Sequence, residues 1–120
     1  MSRTILVCGG RDFANRDLVY KTLGDLHAEE PIGLVVNGAA RGADKLSTEW
    51  AVAMDHVAIH EYPAKWDLHG KRAGPVRNSQ MLECENVDMV VAFPGGRGTA
   101  DMVSKAQQRG ITVLHVKATP

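Results

Sequence analysis

The sequence predicts an α/β fold: a three-layer, Rossmann-like sandwich of about five parallel strands with helices on both faces. Three observations carry this expectation. Short apolar runs alternate five times with segments whose apolar residues recur at helical spacing. The first run, residues 4–8 (TILVC), is apolar throughout, as in a strand buried on both faces of a parallel sheet. Glycine-rich connections follow the strands rather than precede them, which is where such sheets bind ligands. Parallel strands in this order imply right-handed crossovers. The 120 residues amount to one domain, 1–120.

The elements follow in order. After the first strand comes a Gly9-Gly10-Arg11-Asp12-Phe13 loop and a helix over about 15–28, with Leu18, Val19, Leu23 and Leu26 on one stripe. Pro31 and Gly33 end that segment, and 34–37 form the second strand. The loop Gly38 to Asp44 leads to a helix ending near His56, whose stripe places Trp50 in the core. Residues 58–62 alternate, as an edge strand with one wetter face does. The irregular stretch 63–74 is long for a mere connector. Pro75 suits the first position of the next helix, which runs to about 86. Residues 87–93 form the fourth strand, 99–109 a helix closed by Gly110, and 111–116 the fifth strand, leaving a loose tail from 117.

Composition narrows the function classes. Hydrophobic residues make up 44% and charged residues 23%, ordinary for a globular protein. No apolar run approaches a membrane span and no signal peptide is expected. Two cysteines, Cys8 and Cys84, make no disulfide framework and point to a reducing cytoplasm. A net charge of zero gives no global pull toward nucleic acid or membrane.

The charge is unevenly placed, however. The connections leaving the first four strands, with their first helical turns, hold Arg11, Arg41, Lys65, Lys71, Arg72, Arg77 and Arg97, seven of the 14 Lys and Arg. Only Asp12, Asp44, Asp67 and Asp101 of 14 acids lie there. A glycine-lined, locally positive surface fits an anionic, phosphate-bearing ligand. Arg77 sits in a first helical turn, where the helix dipole disfavours a cation. Asp44 and Asp101 also fall in first turns, where capping and a functional role are both open. Trp66 suits either stacking on a base or ribose, or packing as a loop anchor. No G-x-x-x-x-G-K-[ST] loop, no G-x-G-x-x-G after the first strand, no Cys/His metal spacing and no serine elbow is present, so neither a metal nor a cofactor is expected.

The segment Pro94-Gly95-Gly96-Arg97-Gly98-Thr99 resembles the PGGxGT signature of the LOG proteins, which are nucleotide phosphoribohydrolases. Arg77, with Met81 four residues on, resembles the Arg that precedes that signature. Asn37 to Asp44 resembles the SGxAxGxD motif of the single-stranded-DNA-binding DprA/Smf proteins, and Gly9-Gly10-Arg11 their G-S-R. Together these resemble the SLOG superfamily. Gly9 to Phe13, Pro63 to Trp66, and Gly74-Pro75 with Arg77-Asn78 look most like its small YspA/YpsA-related branch.

The resemblance implies a nucleotide or nucleotide-derived ligand and a homodimer. The ligand would be held by Gly9, Gly10, Arg11, Gly38, Ala39, Arg41, Gly42, Lys65, Trp66, Arg77, Asn78, Pro94, Gly95, Gly96, Arg97, Gly98 and Thr99. Two other activities are implied as alternatives, hydrolysis of a nucleoside monophosphate and DprA-like single-strand binding. The LOG signature continues to a Glu, at whose position this chain has Met102. A carboxylate serving an oxocarbenium-like state would have to come from Asp12, Asp44 or Asp101.

Overall fold

A computed structural model describes residues 2–117. The tail expected from 117 therefore lies, beyond Lys117, outside the described residues. Strands β1 (Arg3–Cys8), β2 (Ile32–Asn37), β3 (Ala58–Glu61), β4 (Met89–Ala92) and β5 (Thr112–His115) form one sheet in the order β3-β2-β1-β4-β5. Every pairing is parallel. The apolar β1 lies at the centre, and the alternating β3 lies at an edge, as its pattern requires.

The helices are α1 (Arg16–Glu29), α2 (Ala43–Ala53), α3 (Trp66–His69), α4 (Ala73–Cys84) and α5 (Arg97–Gln108). Period-two alternation of β1 divides its side chains between two cores. Ile5 and Val7 pack with Val19, Leu23, Trp50 and Ala51 of α1 and α2. Leu6 and Cys8 pack with Met81, Leu82, Met102 and Ala106 of α4 and α5. Two helices cover each face, which makes the three layers. Trp50 is fully buried among them.

Several boundaries differ from expectation for local reasons. The α1 helix begins one residue late because Asn15 is its cap, accepting the Leu18 N–H at 3.1 Å. The α2 helix stops at Ala53, short of His56, whose φ of +72° is incompatible with a continuing helix. The stretch 63–74 is not irregular: it holds α3, a 3-10 turn at Gly70–Arg72 and the start of α4. Pro75 is the third rather than first residue of α4, still among the four whose N–H has no partner within the helix. The α5 helix starts at Arg97 rather than Thr99, with Gly96 as its cap.

The loops at the carboxyl ends of the strands rest on one another. The Gly10 N–H donates to Pro94 O at 2.9 Å, and the Ala43 N–H donates to Gly10 O at 3.3 Å. Gly42, at φ +82°, packs backbone to backbone against the β1 loop: a β-carbon there would collide with the Gly10 carbonyl oxygen and lie 2.6 Å from that of Arg11. Gly24, in the middle of α1, has open space where a β-carbon would go. Gly42→Ala should therefore destabilise the fold by more than about 2 kcal/mol. Gly24→Ala should stabilise it by up to about 1 kcal/mol. Urea denaturation of the two variants measures both signs.

Candidate functional site

The strand order reverses between β1 and β4, where the connections from the two strands run to opposite faces of the sheet. A cleft of about 410 Å³ opens there, lined by residues from all the glycine-rich connections. Arg11, Lys71, Arg77 and Arg97 supply four positive side chains and Asp44 the one carboxyl. The N-termini of α4 and α5 both reach the cleft, through Gly74 and through Gly96, Gly98 and Thr99. Neither helix has a side-chain cap or an acid in its first turn. At α5 the leading N–H groups are thus left to solvent or to a ligand, whereas α4 continues from the 3-10 turn, with the Ala73 N–H donating to Gly70 O and Pro75 offering none.

The β2–α2 connection is shaped by two buried polar side chains. The amide nitrogen of Asn37 lies 3.0 Å from Asp44 O, 2.9 Å from Ser47 Oγ and 2.8 Å from Thr48 Oγ1, and Asn37 Oδ1 accepts the Ala39 N–H. Asp44 Oδ2 accepts the N–H groups of Gly38 and Ala40 at 3.1 and 3.2 Å. Asp44 therefore braces the preceding loop rather than its own helix start. Burial pushes its carboxyl up to about 6, against the pull of those two N–H groups and of the nearby Arg77 charge.

Arg77 reaches from the first turns of α4 across to the β2 loop. Its Nη1 donates to Gly38 O at 2.7 Å and more weakly to Tyr62 O at 3.4 Å. Gly38 permits this: a β-carbon there would lie 2.6 Å from the guanidinium carbon. Asn78, next in sequence, joins α4 to α5, its amide nitrogen 3.1 Å from Gly98 O and 3.0 Å from Asp101 Oδ2. Asp101 also pairs with Lys105 at 2.9 Å. Cys8 lines the cleft, but burial, aided by the Asp44 charge, pushes its thiol up to about 12, so it is no nucleophile.

The structure brings together Gly9, Gly10, Arg11, Gly38, Trp66, Arg77, Asn78, Gly96, Arg97, Gly98, Thr99 and Asp44 in this lining. Ala39 and Arg41 line an adjoining cleft of about 310 Å³ that shares Arg11, Gly38, Trp66 and Arg77. Lys65 faces a third depression on the far side of Arg77. Pro94 and Gly95 lie on the β5 side of the α5 terminus, and Gly42 is packed between loops. Asp12 is exposed outside the cleft, 3.2 Å from Arg41. Met102, at the place of the LOG glutamate, is fully buried in the core against α4. Lys71, one of the cations of the positive surface, and Gly74, part of the Gly74-Pro75 resemblance, line the cleft although neither belongs to the set expected to hold the ligand. Cys8 and Met81 line it too, with no chemical signal in the sequence. Among the described residues no cluster could hold a metal ion, and no helix is long and apolar enough to cross a membrane.

Comparison with known proteins agrees with this architecture. The model of the family described as "YAcAr: YspA, cpYpsA-related SLOG family" matches residues 3–69, from β1 through α3. The chain is 38% identical over 125 residues to the Gene 61 protein of Mycobacterium phage D29, covering 98% of this chain and 99% of that protein. The chain belongs to the YspA, cpYpsA-related SLOG family. Its fold is also that of DNA processing protein A (DprA) from Streptococcus pneumoniae, with a TM-score of 0.74 at 19% identity over 98% of this chain. It spans 51% of the length of that structure.

The Asp44 carboxyl ties stability to pH. The folded protein holds its proton up to about pH 6, whereas the unfolded chain releases it near the ordinary value of 3.8. Between these values the folded state binds more protons, so the Asp44 contribution to stability falls as pH rises through that window. Asp44→Asn keeps an oxygen acceptor and abolishes the ionisation. Measured by denaturant titration, its stability relative to the unsubstituted protein should increase by about 2 kcal/mol between about pH 4 and pH 7.

Proposed function

We propose that the cleft binds a nucleotide or a nucleotide-derived phosphorylated ligand. The phosphate would lie against the N-terminus of α5, with Arg77, Arg97 and Arg11 as its charge partners. The observation that carries this reading is the lining itself. Four cations and the uncapped N-terminus of α5 converge on one cleft in a chain of zero net charge. The four cations outnumber the acids of the lining, where the single carboxyl, Asp44, offsets only the nearby Arg77. A volume of about 410 Å³ falls within the range of small-molecule sites. A homodimer, implied by the resemblance, belongs to the same proposal and is measured by light scattering.

Gly98 separates binding from folding. It lies in the first turn of α5 and lines the cleft, and a β-carbon there meets nothing within 4 Å. Gly98→Val should leave the thermal midpoint unchanged or slightly raised, because glycine is the poorer helix former. In calorimetry against the four ribonucleoside monophosphates, the unsubstituted protein should give binding heat at about 1 mM ligand and the variant none. Absence of heat for every nucleotide with the unsubstituted protein would refute the reading.

Asp44 favours a second reading, in which the nucleotide is also cleaved. Breaking the N-glycosidic bond would consume one water, its hydroxyl going to the anomeric carbon to give ribose 5-phosphate and its proton leaving on the base. A buried carboxylate at the cleft could stabilise the positive charge on the sugar. Free base should then appear on incubation with nucleoside monophosphates and fall at least about a hundredfold in Asp44→Asn. An intact nucleotide after long incubation leaves binding alone.

A further inference from the structure

We propose that Trp66 is the stacking platform for the base of the ligand, and that Arg11, which lies over the Trp66 ring, leaves it to take the phosphate. This deepens the reading of the cleft above and rests on it.

Trp66 is not an anchor. It is 47% exposed, and neither α3 nor the 3-10 turn after it contains a buried residue. A large aromatic ring left about half exposed at a cleft is unusual on a folded surface. One edge of the ring approaches Gly74 at the start of α4, with Cη2 3.6 Å from where a β-carbon would be. The Arg11 guanidinium sits 5.0 Å from the ring centroid.

Arg11 has no better partner. Among the described residues its side chain makes no hydrogen bond or ion pair, and the adjacent Asp12 pairs with Arg41 instead. Its charge also faces Arg77. Burial first weakens the hold of Arg77 on its proton; the Asp44 charge opposes this, and the Arg11 charge adds to it. Two guanidinium groups that repel one another across a cleft mark where an anion would relieve both. An exposed cation–π contact is a weak restraint compared with a charge-assisted bond to phosphate, and a base can occupy the ring face that Arg11 vacates.

The pair also forms part of the wall between two clefts. Arg11 and Trp66 line both the 410 Å³ cleft and the adjoining 310 Å³ one. Displacing the guanidinium joins the two spaces beside the Trp66 ring, leaving room for a planar group to lie flat. The ligand class is therefore a phosphate that carries an aromatic base, rather than a bare sugar phosphate.

The test uses the full chain and two probes, AMP and ribose 5-phosphate, which differ by the base. Tryptophan emission with iodide as quencher reads Trp66 selectively, because Trp50 is only 1% exposed. AMP should bind at least about tenfold more tightly than ribose 5-phosphate and should shield Trp66 from iodide, whereas ribose 5-phosphate should not. Calorimetry on Trp66→Leu should show the AMP advantage lost with ribose 5-phosphate affinity retained. Trp66→Phe should restore part of the advantage, and Arg11→Gln should weaken both probes. Equal affinities in the unsubstituted protein, or equal losses for both probes in Trp66→Leu, overturn the stacking role while leaving phosphate binding standing. Failure of both probes to bind refutes the reading of the cleft, and this inference with it.

Discussion

The candidate site depends on the buried pair Asn37 and Asp44. Asn37 ends β2 with its side chain fully enclosed, and Asp44 opens α2 with 6% exposure. Between them they satisfy the N–H groups of Gly38, Ala39 and Ala40, which no strand or helix would otherwise pair. That turns a five-residue connection into a fixed surface. The Gly38 carbonyl is then held where Arg77 meets it, and Gly42 is held against the β1 loop. A buried polar cluster of this kind is worth having only when complete, because each unpaired member would cost about 1–3 kcal/mol. The raised carboxyl of Asp44 is the remaining cost of that arrangement.

Around this brace, α4 acts as the connecting element of the cleft. Its first turns carry Arg77 toward the β2 loop and Asn78 toward α5, so neighbouring residues join opposite walls. Lys105 adds a third tie, donating to Pro75 O at 2.7 Å while pairing with Asp101. The cleft is thus bounded by elements fixed to one another, with α3 and its exposed Trp66 as the part least held by burial. Rigid walls with one lightly held aromatic suit a site that must accept a ligand without rearranging its phosphate-facing backbone.

Most of the fold was legible because buried parallel strands leave an unmistakable pattern: β1 carries an unbroken apolar run from Ile5 to Cys8 and lies at the centre of the sheet. The edge position of β3 was legible from its alternation. The helical content of 63–74 was not, because α3 is four residues long and buries nothing, so it has no apolar stripe to read. The cleft was legible as a region, since glycines and arginines crowd the ends of the strands. The roles of individual residues were less so. Asp12, Asp44 and Asp101 look alike in sequence. Burial and partners separate them: one pairs with Arg41 at the surface, one braces a loop, and one holds Asn78 and Lys105. Arg77 was expected in an unfavourable first turn, but α4 begins at Ala73 and makes it the fifth residue, beyond the strongest part of the helix dipole. The carbonyls that receive it come from Gly38 and Tyr62, distant in sequence and visible only once the chain is folded.

The position of β1 has a consequence for how the cleft comes into being. β1 and β2 are near in the chain and their pairing closes a modest loop, but β4, the other neighbour of β1, arrives only after Met89 has been made. The Thr4 N–H to Asp88 bond, at 2.7 Å, spans the same distance. Closing so large a loop is among the slow steps of folding, and the cleft straddles that junction. A nascent chain that has completed α2 therefore owns the braced loop but no cleft. The cleft appears when the last long-range pairing forms, so any small molecule that occupies it acts on the equilibrium of the whole domain rather than on a preformed local fragment.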